Sequence, residues 1–412
     1  MKNLFYSTVA CMALLFTASC DSDNIEPQLK ADFVIPEPNE GENSTFVSNL
    51  FRKAVNEDLQ NGKANTLVSP LSINFALGML VNGAEGETKD EIMNALGYKD
   101  LSIDQVNEYS QGLANILTSN ADESVSFSIA NSIWYATDFT IKDAFVQTNK
   151  TFYDAEVNEI DFRSPDALST INKWCSDKTK NKIPKALGQL NEDTKTILIN
   201  ALYFKSPWRY EFYESFTKKN PFYAEDGSSA EVDIMHTGGI YRYKSDSYAE
   251  YLELPFGNYK FDEAYNMIVI LPNEGKTVQE VFNYVDYDPS WTSNNSRSHV
   301  LLSLPKFKID FSYNLEEYIL PEMGMKIPFT HNANFNGIGP GLFVSKVIHK
   351  TTIDVNEYGV EAAAITIVGM ETSNGNEPTY KDFNVNRPFM FSICEKTTGT
   401  VLFVGKIGKI VE

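Results

Sequence analysis

Motifs that carry metal or nucleophilic chemistry are what this sequence lacks. Four histidines, His236, His299, His331 and His349, are scattered through 412 residues, and no two are spaced to share one helix face for zinc. There is no H-E-x-x-H, no C-x-x-C, no G-x-S-x-G elbow and no phosphate-binding P-loop. These absences argue against the common zinc hydrolases, thiol oxidoreductases, α/β-hydrolases and nucleotide-binding enzymes, so the chain reads as a non-enzyme with no cofactor and no metal. Positive charge is short as well. Thirty-five Lys and Arg against 55 Asp and Glu leave a formal charge of -20, a balance that disfavours nucleic acid and anionic lipid as partners. Cysteine is sparse: beyond residue 20 only Cys175 and Cys394 occur, too few and too distant for a disulfide framework, and both read as buried free thiols. No period of 20 to 50 residues repeats, which excludes a solenoid.

Apolar content of 42% is enough for a large core. The first residues stand apart. Lys2 is followed by the apolar "LFYSTVACMALLF" and then by "TASC", the pattern of an export signal over residues 1–19 and too short for a comfortable membrane span. Ala18-Ser19-Cys20 resembles the lipobox of bacterial lipoproteins, which implies lipidation at Cys20. Residues 20–44 are polar and proline-bearing, a tether between a bacterial membrane and a domain over 45–412. The expected location is exported, either lipid-anchored at the outer membrane or cell surface, or extracellular.

Within that domain, "FVSNLFRKAVNE" and "SPLSINFALGMLVNGAEGETKDEIMNALG" carry apolar residues at helical spacing, and "DALSTINKWCSDKTKNKI" does so again. "SFSIANSIWYATDF" alternates like a strand, and "KTILINALYFKSPW" is an apolar run. "YLELPFG", "YNMIVILP", "HVLLSLPKFKIDFSY", "VSKVIHKTTIDV", "RPFMFSICEK" and "TVLFVGKI" read as strands. Helices first and strands later, without strict alternation, predict an α+β fold on large, mainly antiparallel sheets.

"EYGVEAAAIT" (Glu357 to Thr366) is out of character in a chain with 27 Phe and 21 Tyr. It lies between the strand-like "TTIDV" and the loop-like "TSNGNEPTYKD". Alternation along a strand would put Val360, Ala362, Ala364, Thr366, Val368, Met370 and Thr372 on one face, without charge. Gly359, Glu361, Ala363, Ile365, Ile367, Gly369 and Glu371 would share the other. The uncharged set can enter a core while both carboxylates stay outside.

In order and spacing, "VSPLSINFALGMLVNGAEGETKDEI", "NALYFKSPW", "LPKFKIDFSYNL", "NANFNGI", "VSKVIHKTTIDVNEYGVEAAA" and "NRPFMFSICEKTTGTVLFVGKI" resemble the serpins, a family of serine protease inhibitors. The resemblance runs from about Val47 to Ile410. It implies three β-sheets, eight or nine helices and an exposed reactive-centre loop at about residues 357–384. It also implies a monomer that inhibits serine, or cysteine, endopeptidases by a suicide route. In that route the loop is cleaved, an acyl-enzyme forms, and the loop inserts into the main sheet and traps the protease. A strand from Val360 to Ser373 would span roughly 45 Å at about 3.3 Å per residue, enough to carry an attached protease from pole to pole.

Residue by residue, the resemblance implies a hinge of Glu357, Gly359, Val360, Glu361, Ala362, Ala363, Ala364 and Thr366, with a Lys306–Glu357 salt bridge. Ser69, Ser72, Asn200 and His349 match the shutter beneath the sheet, and Trp208 matches the breach where insertion starts. Val360 departs from the Thr or Ser usual in inhibitory relatives. The attacked bond falls at Ser373 or Thr372, with Asn374 and Met370 as further candidates. Small residues there imply an elastase-like or subtilisin-like partner, and the lack of Lys or Arg between Val360 and Pro378 argues against a trypsin-like one. Two other readings are a non-inhibitory serpin acting as carrier or scaffold, and a surface glycan-binding lipoprotein suggested by the lipobox and 13% aromatic content.

Overall fold

Two hydrogen-bonded arrays of strands organise the protein, seen in a computed structural model that describes residues 42–119, 121–191, 194–284, 296–360 and 379–410. All of these fall in one compact unit, Glu37–Glu412. The six-stranded sheet has the order β10 (Phe307–Asn314), β11 (Ile348–Asn356), β12 (Gly359–Val360), β4 (Thr196–Pro207), β2 (Ser126–Ala136), β3 (Ala155–Ile160). The nine-stranded array has the order β1 (Thr66–Val68), β15 (Val401–Ile407), β14 (Phe389–Glu395), β8 (Tyr265–Pro272), β7 (Ala249–Pro255), β6 (Ser229–Ser245), β9 (Ser296–Pro305), β13 (Lys381–Asn384), with β5 (Lys218–Tyr223) on β6. Pairing is antiparallel apart from β2–β3 and β13–β9. Eight α-helices are present among the described residues: α1 (Glu42–Gln60), α2 (Pro70–Val81), α3 (Gly86–Leu96), α4 (Ile103–Thr118), α5 (Asp143–Tyr153), α6 (Ala167–Lys178), α7 (Val278–Tyr284) and α8 (Ile319–Glu322).

The α+β class is as expected, with helices and strands more interleaved than "helices first" suggests, since four strands precede Trp208. Two of the three implied sheets are continuous. The 17-residue β6 is long enough to pair β5, β7 and β9 along different parts of its length, which joins them into one array. "HVLLSLPKFKIDFSY", expected as one strand, is two: Pro305 has no amide to donate, and the chain crosses there from β9 in one array to β10 in the other. Helix α1 begins at Glu42, within the stretch 20–44 expected as tether. Lys381–Asn384, counted in the loop, is strand β13.

Helix α2 shows how local sequence positions the site. Ser69 caps it, its hydroxyl accepting from the Ser72 amide at 3.3 Å, and Pro70 occupies the first turn, where its missing donor costs nothing. Almost every α2 side chain is buried, because the helix packs between β4 and β15. Capping thus fixes Ser69 and Ser72 directly under the six-stranded sheet. On the other side of that sheet α6 builds a second, smaller core of Trp134, Phe162, Ile171 and Leu187.

Cys175 in α6 and Cys394 in β14 are free and buried, and burial pushes both thiols up to about 12. Since the thiolate is the reactive form, neither should label with an aromatic disulfide reagent at pH 8 in the folded protein. Both should label once it is unfolded; rapid labelling before unfolding would contradict the packing.

Candidate functional site

The hinge begins as a tight corner. β11 ends at Asn356, turns through Glu357 and Tyr358, and comes back as β12, with Asn356 opposite Gly359 and Val355 opposite Val360. The Asn356 side chain accepts from the Tyr358 amide at 3.0 Å, which closes the turn. On its other edge β12 pairs antiparallel with β4, Gly359 opposite Pro207 and Val360 opposite Ser206. Only glycine fits at 359. Its φ is +134°, and a Cβ there would lie 2.1 Å from the Ser206 carbonyl oxygen.

Glu357 is anchored on three sides. Its carboxylate lies 2.9 Å from Lys306 Nζ and accepts from the Thr217 hydroxyl at 2.7 Å, while its carbonyl accepts from the Phe212 amide at 3.4 Å. Burial pushes this carboxyl up, but the hydrogen bonds from Lys306 and Thr217 outweigh it and hold the group below its ordinary value. The ion pair is thus partly buried and additionally hydrogen-bonded, unlike an exposed pair worth little. Tyr358 donates its hydroxyl to Glu214. Thr217, Phe212 and Glu214 are contacts that sequence reasoning missed, because nothing local marks residues 140 positions away as partners.

Trp208 is buried at the end of β4. Its indole donates to the Asn356 carbonyl at 2.8 Å, and its ring stacks on Phe256 with centroids 4.7 Å apart and meets Phe212 edge-on at 5.9 Å. The residue therefore joins β4 to the hinge corner.

Beneath the corner, Val360 is buried and points to a small cavity of about 30 Å³ lined by Ser69, Ser72, Leu202, Phe204 and Thr351 as well. His349 is buried on β11 opposite Tyr313, and its Nε2 accepts from the Ser69 amide at 3.0 Å, which requires a neutral ring. Asn200 belongs to a different cluster. Its amide donates to Asn131 at 2.8 Å, and Asn131 donates to the Tyr153 carbonyl at 2.6 Å. Ser69, Ser72 and His349 are therefore brought together, while Asn200 on β4 bonds to Asn131 and makes no hydrogen bond to them. Asn200 Oδ1 and Thr351 Oγ1 are buried with no hydrogen-bond partner among the described residues.

Glu361, Ala362, Ala363, Ala364, Thr366, Met370, Thr372, Ser373, Asn374 and Cys20 lie outside the described residues. Among the described residues no group of three or more His, Cys, Asp or Glu could hold a metal ion.

Burial alone depresses the His349 imidazole to about 3, against an ordinary 6.5. The unfolded chain then binds a proton that the folded one does not, so falling pH costs stability from about 6.5 down to about 3 and nothing above it. Stability measured against pH in the wild type should fall in that window by up to ~1.4 kcal/mol per pH unit more than in His349→Gln. Parallel profiles would contradict the burial of a neutral ring.

Comparison with known proteins agrees with this architecture. The family model described as Serpin (serine protease inhibitor) matches residues 41–410. An uncharacterised serpin-like protein of Methanosarcina mazei is 32% identical, over 99% of this chain and 98% of its own length. Leukocyte elastase inhibitor of Xenopus tropicalis is 33% identical over 88% and 96%. The crystal structure of the thermophilic serpin tengpin in its native state superposes with a TM-score of 0.79 at 30% identity, covering 90% of this chain and 93% of tengpin.

Proposed function

Because the chain belongs to the serpins, whose members are mostly protease inhibitors, we propose that it inhibits serine, or cysteine, endopeptidases by the suicide route. The protease nucleophile attacks a carbonyl carbon among Met370 to Asn374. The peptide bond breaks, the new amine leaves with a proton, and an acyl link to the protease remains. The freed segment then enters the six-stranded sheet and draws the protease with it, distorting its active site before the ester (with serine) or thioester (with cysteine) can be hydrolysed.

The observation that carries this reading is β12. A strand continuing from Val360 would run between β11 and β4, antiparallel to both, the stronger pairing geometry. Continued in the same register, residue 362 falls between Ile353 and Phe204, residue 364 between Thr351 and Leu202, and residue 366 between His349 and Asn200. β11 alternates buried and half-buried positions, with His349, Thr351, Ile353 and Val355 facing inward. Val360 obeys that parity. Ala362 and Ala364 are small enough for the same face, and the Thr366 hydroxyl would reach the unpaired Asn200 Oδ1.

Thr372 and Ser373 favour a protease with a small specificity pocket, elastase-like or subtilisin-like, and a relative named leukocyte elastase inhibitor supports that choice. The leader and Ala18-Ser19-Cys20 support export and a lipid anchor through residues 20–44. The rival is a carrier or scaffold, which would be cut without trapping.

Denaturing gels of the chain mixed with pancreatic elastase or subtilisin should show a stable complex of the two proteins. Ala362→Glu would place a carboxylate on the inward face and should give cleavage with no complex. Ala363→Glu, on the outward face, should keep most of the trapping. Equal behaviour of the two variants, or plain cleavage of the wild type by a broad protease panel, would overturn the proposal.

A further inference from the structure

Residues 208–217 wrap the hinge corner between β4 and β5, and the two sides of this segment are unlike. One side is fastened. Trp208 and Phe212 are buried, and Phe212, Glu214 and Thr217 each hold Glu357 or Tyr358 through the bonds described above. Thr237 adds a further tie, its hydroxyl donating to the Glu211 carbonyl at 3.3 Å.

The other side carries Tyr210, Tyr213 and Phe216, which are 39%, 41% and 54% exposed. Tyr213 and Phe216 meet edge-to-face at 5.9 Å, and Tyr210 leans on Tyr241 at 5.5 Å. Twelve large hydrophobic residues are exposed among the described residues, and three of them sit within these seven positions. Single exposed aromatics need no explanation, whereas three within seven residues of a fastened segment, two of them in ring contact, are a candidate interaction surface. Rings already fixed in place also lose little freedom on contact.

Where the reactive segment departs identifies the occupant. The chain leaves this corner at Val360, two residues beyond Tyr358, and ten residues from there to Met370 span at most about 35 Å. A protease engaged on the bond among Met370 to Asn374 is therefore tethered within a few tens of ångströms of the corner that these three rings flank. We propose that Tyr210, Tyr213 and Phe216 form a docking face for that protease, meeting apolar surface beside its active-site cleft before the bond is cut. This rests on the inhibitory reading.

The test compares the full chain with the triple variant Tyr210→Ser/Tyr213→Ser/Phe216→Ser, using pancreatic elastase and subtilisin. The second-order rate constant for complex formation should fall about tenfold for at least one of them. The molar ratio needed for full inhibition and the melting temperature of the free protein should not change. Leu59→Ser, equally exposed on α1, should keep the wild-type rate and so control for general loss of surface apolarity. An unchanged rate in the triple variant overturns the docking face while leaving inhibition intact. A wild-type dimer that the triple variant abolishes in sedimentation overturns it too, by making a second copy the occupant. Absence of any complex with the wild type would overturn both proposals together.

Discussion

β4 and β11 run in the same direction, and what lies between them governs the rest of the structure. Among the described residues they pair with each other nowhere; each pairs instead with the two residues of β12. Beyond Val360 the facing edges of the two strands have no ladder partner among the described residues. About two dozen hydrogen bonds at a net value near 1 kcal/mol each, less an ordering cost of about 1 kcal/mol for each of a dozen residues, put full insertion at on the order of 10 kcal/mol. That is comparable with the stability of a whole domain, so under the proposed function insertion would be strongly favoured and limited by how easily the segment enters.

The surrounding residues make sense as a corner and a floor for that event. Glu357, held by Lys306 and Thr217, fixes where the chain turns, and Gly359 permits an approach to Ser206 that no side chain would tolerate. Trp208 ties the end of β4 to the same corner. Below, a neutral His349 on Ser69 closes the β11 side, and the Asn200–Asn131 pair closes the β4 side, with no hydrogen bond between the two clusters. Under the proposed function, strong local ties on each side with no hydrogen bond between them would let the sheet part along this line.

Much of this was legible in the sequence, for identifiable reasons. Strands such as "YNMIVILP" are buried on both faces and announce themselves by unbroken apolar runs. Ser69-Pro70 marked a helix start because capping is a local rule. The parity of "GVEAAAIT" could be proposed because a strand has a period of two; of its residues only Gly359 and Val360 are described, and both are buried. Less could be read where the cause was distant. The fusion of two sheets through β6, the crossing at Pro305 and the partners of Glu357 depend on residues far apart in the chain. Asn200 was grouped with His349, yet its hydrogen bond goes to Asn131, an outcome set by side-chain geometry across β2 and β4 that no spacing encodes.

The central claim is that the segment following Val360 is a strand the sheet can still accept, and thermal unfolding tests it most directly. The intact chain and the same chain nicked once between Met370 and Asn374 should be melted side by side, with the site of the nick verified by mass. Insertion on the order of 10 kcal/mol predicts a melting temperature higher by roughly 13 °C in the nicked protein. An unchanged or lowered melting temperature would contradict it.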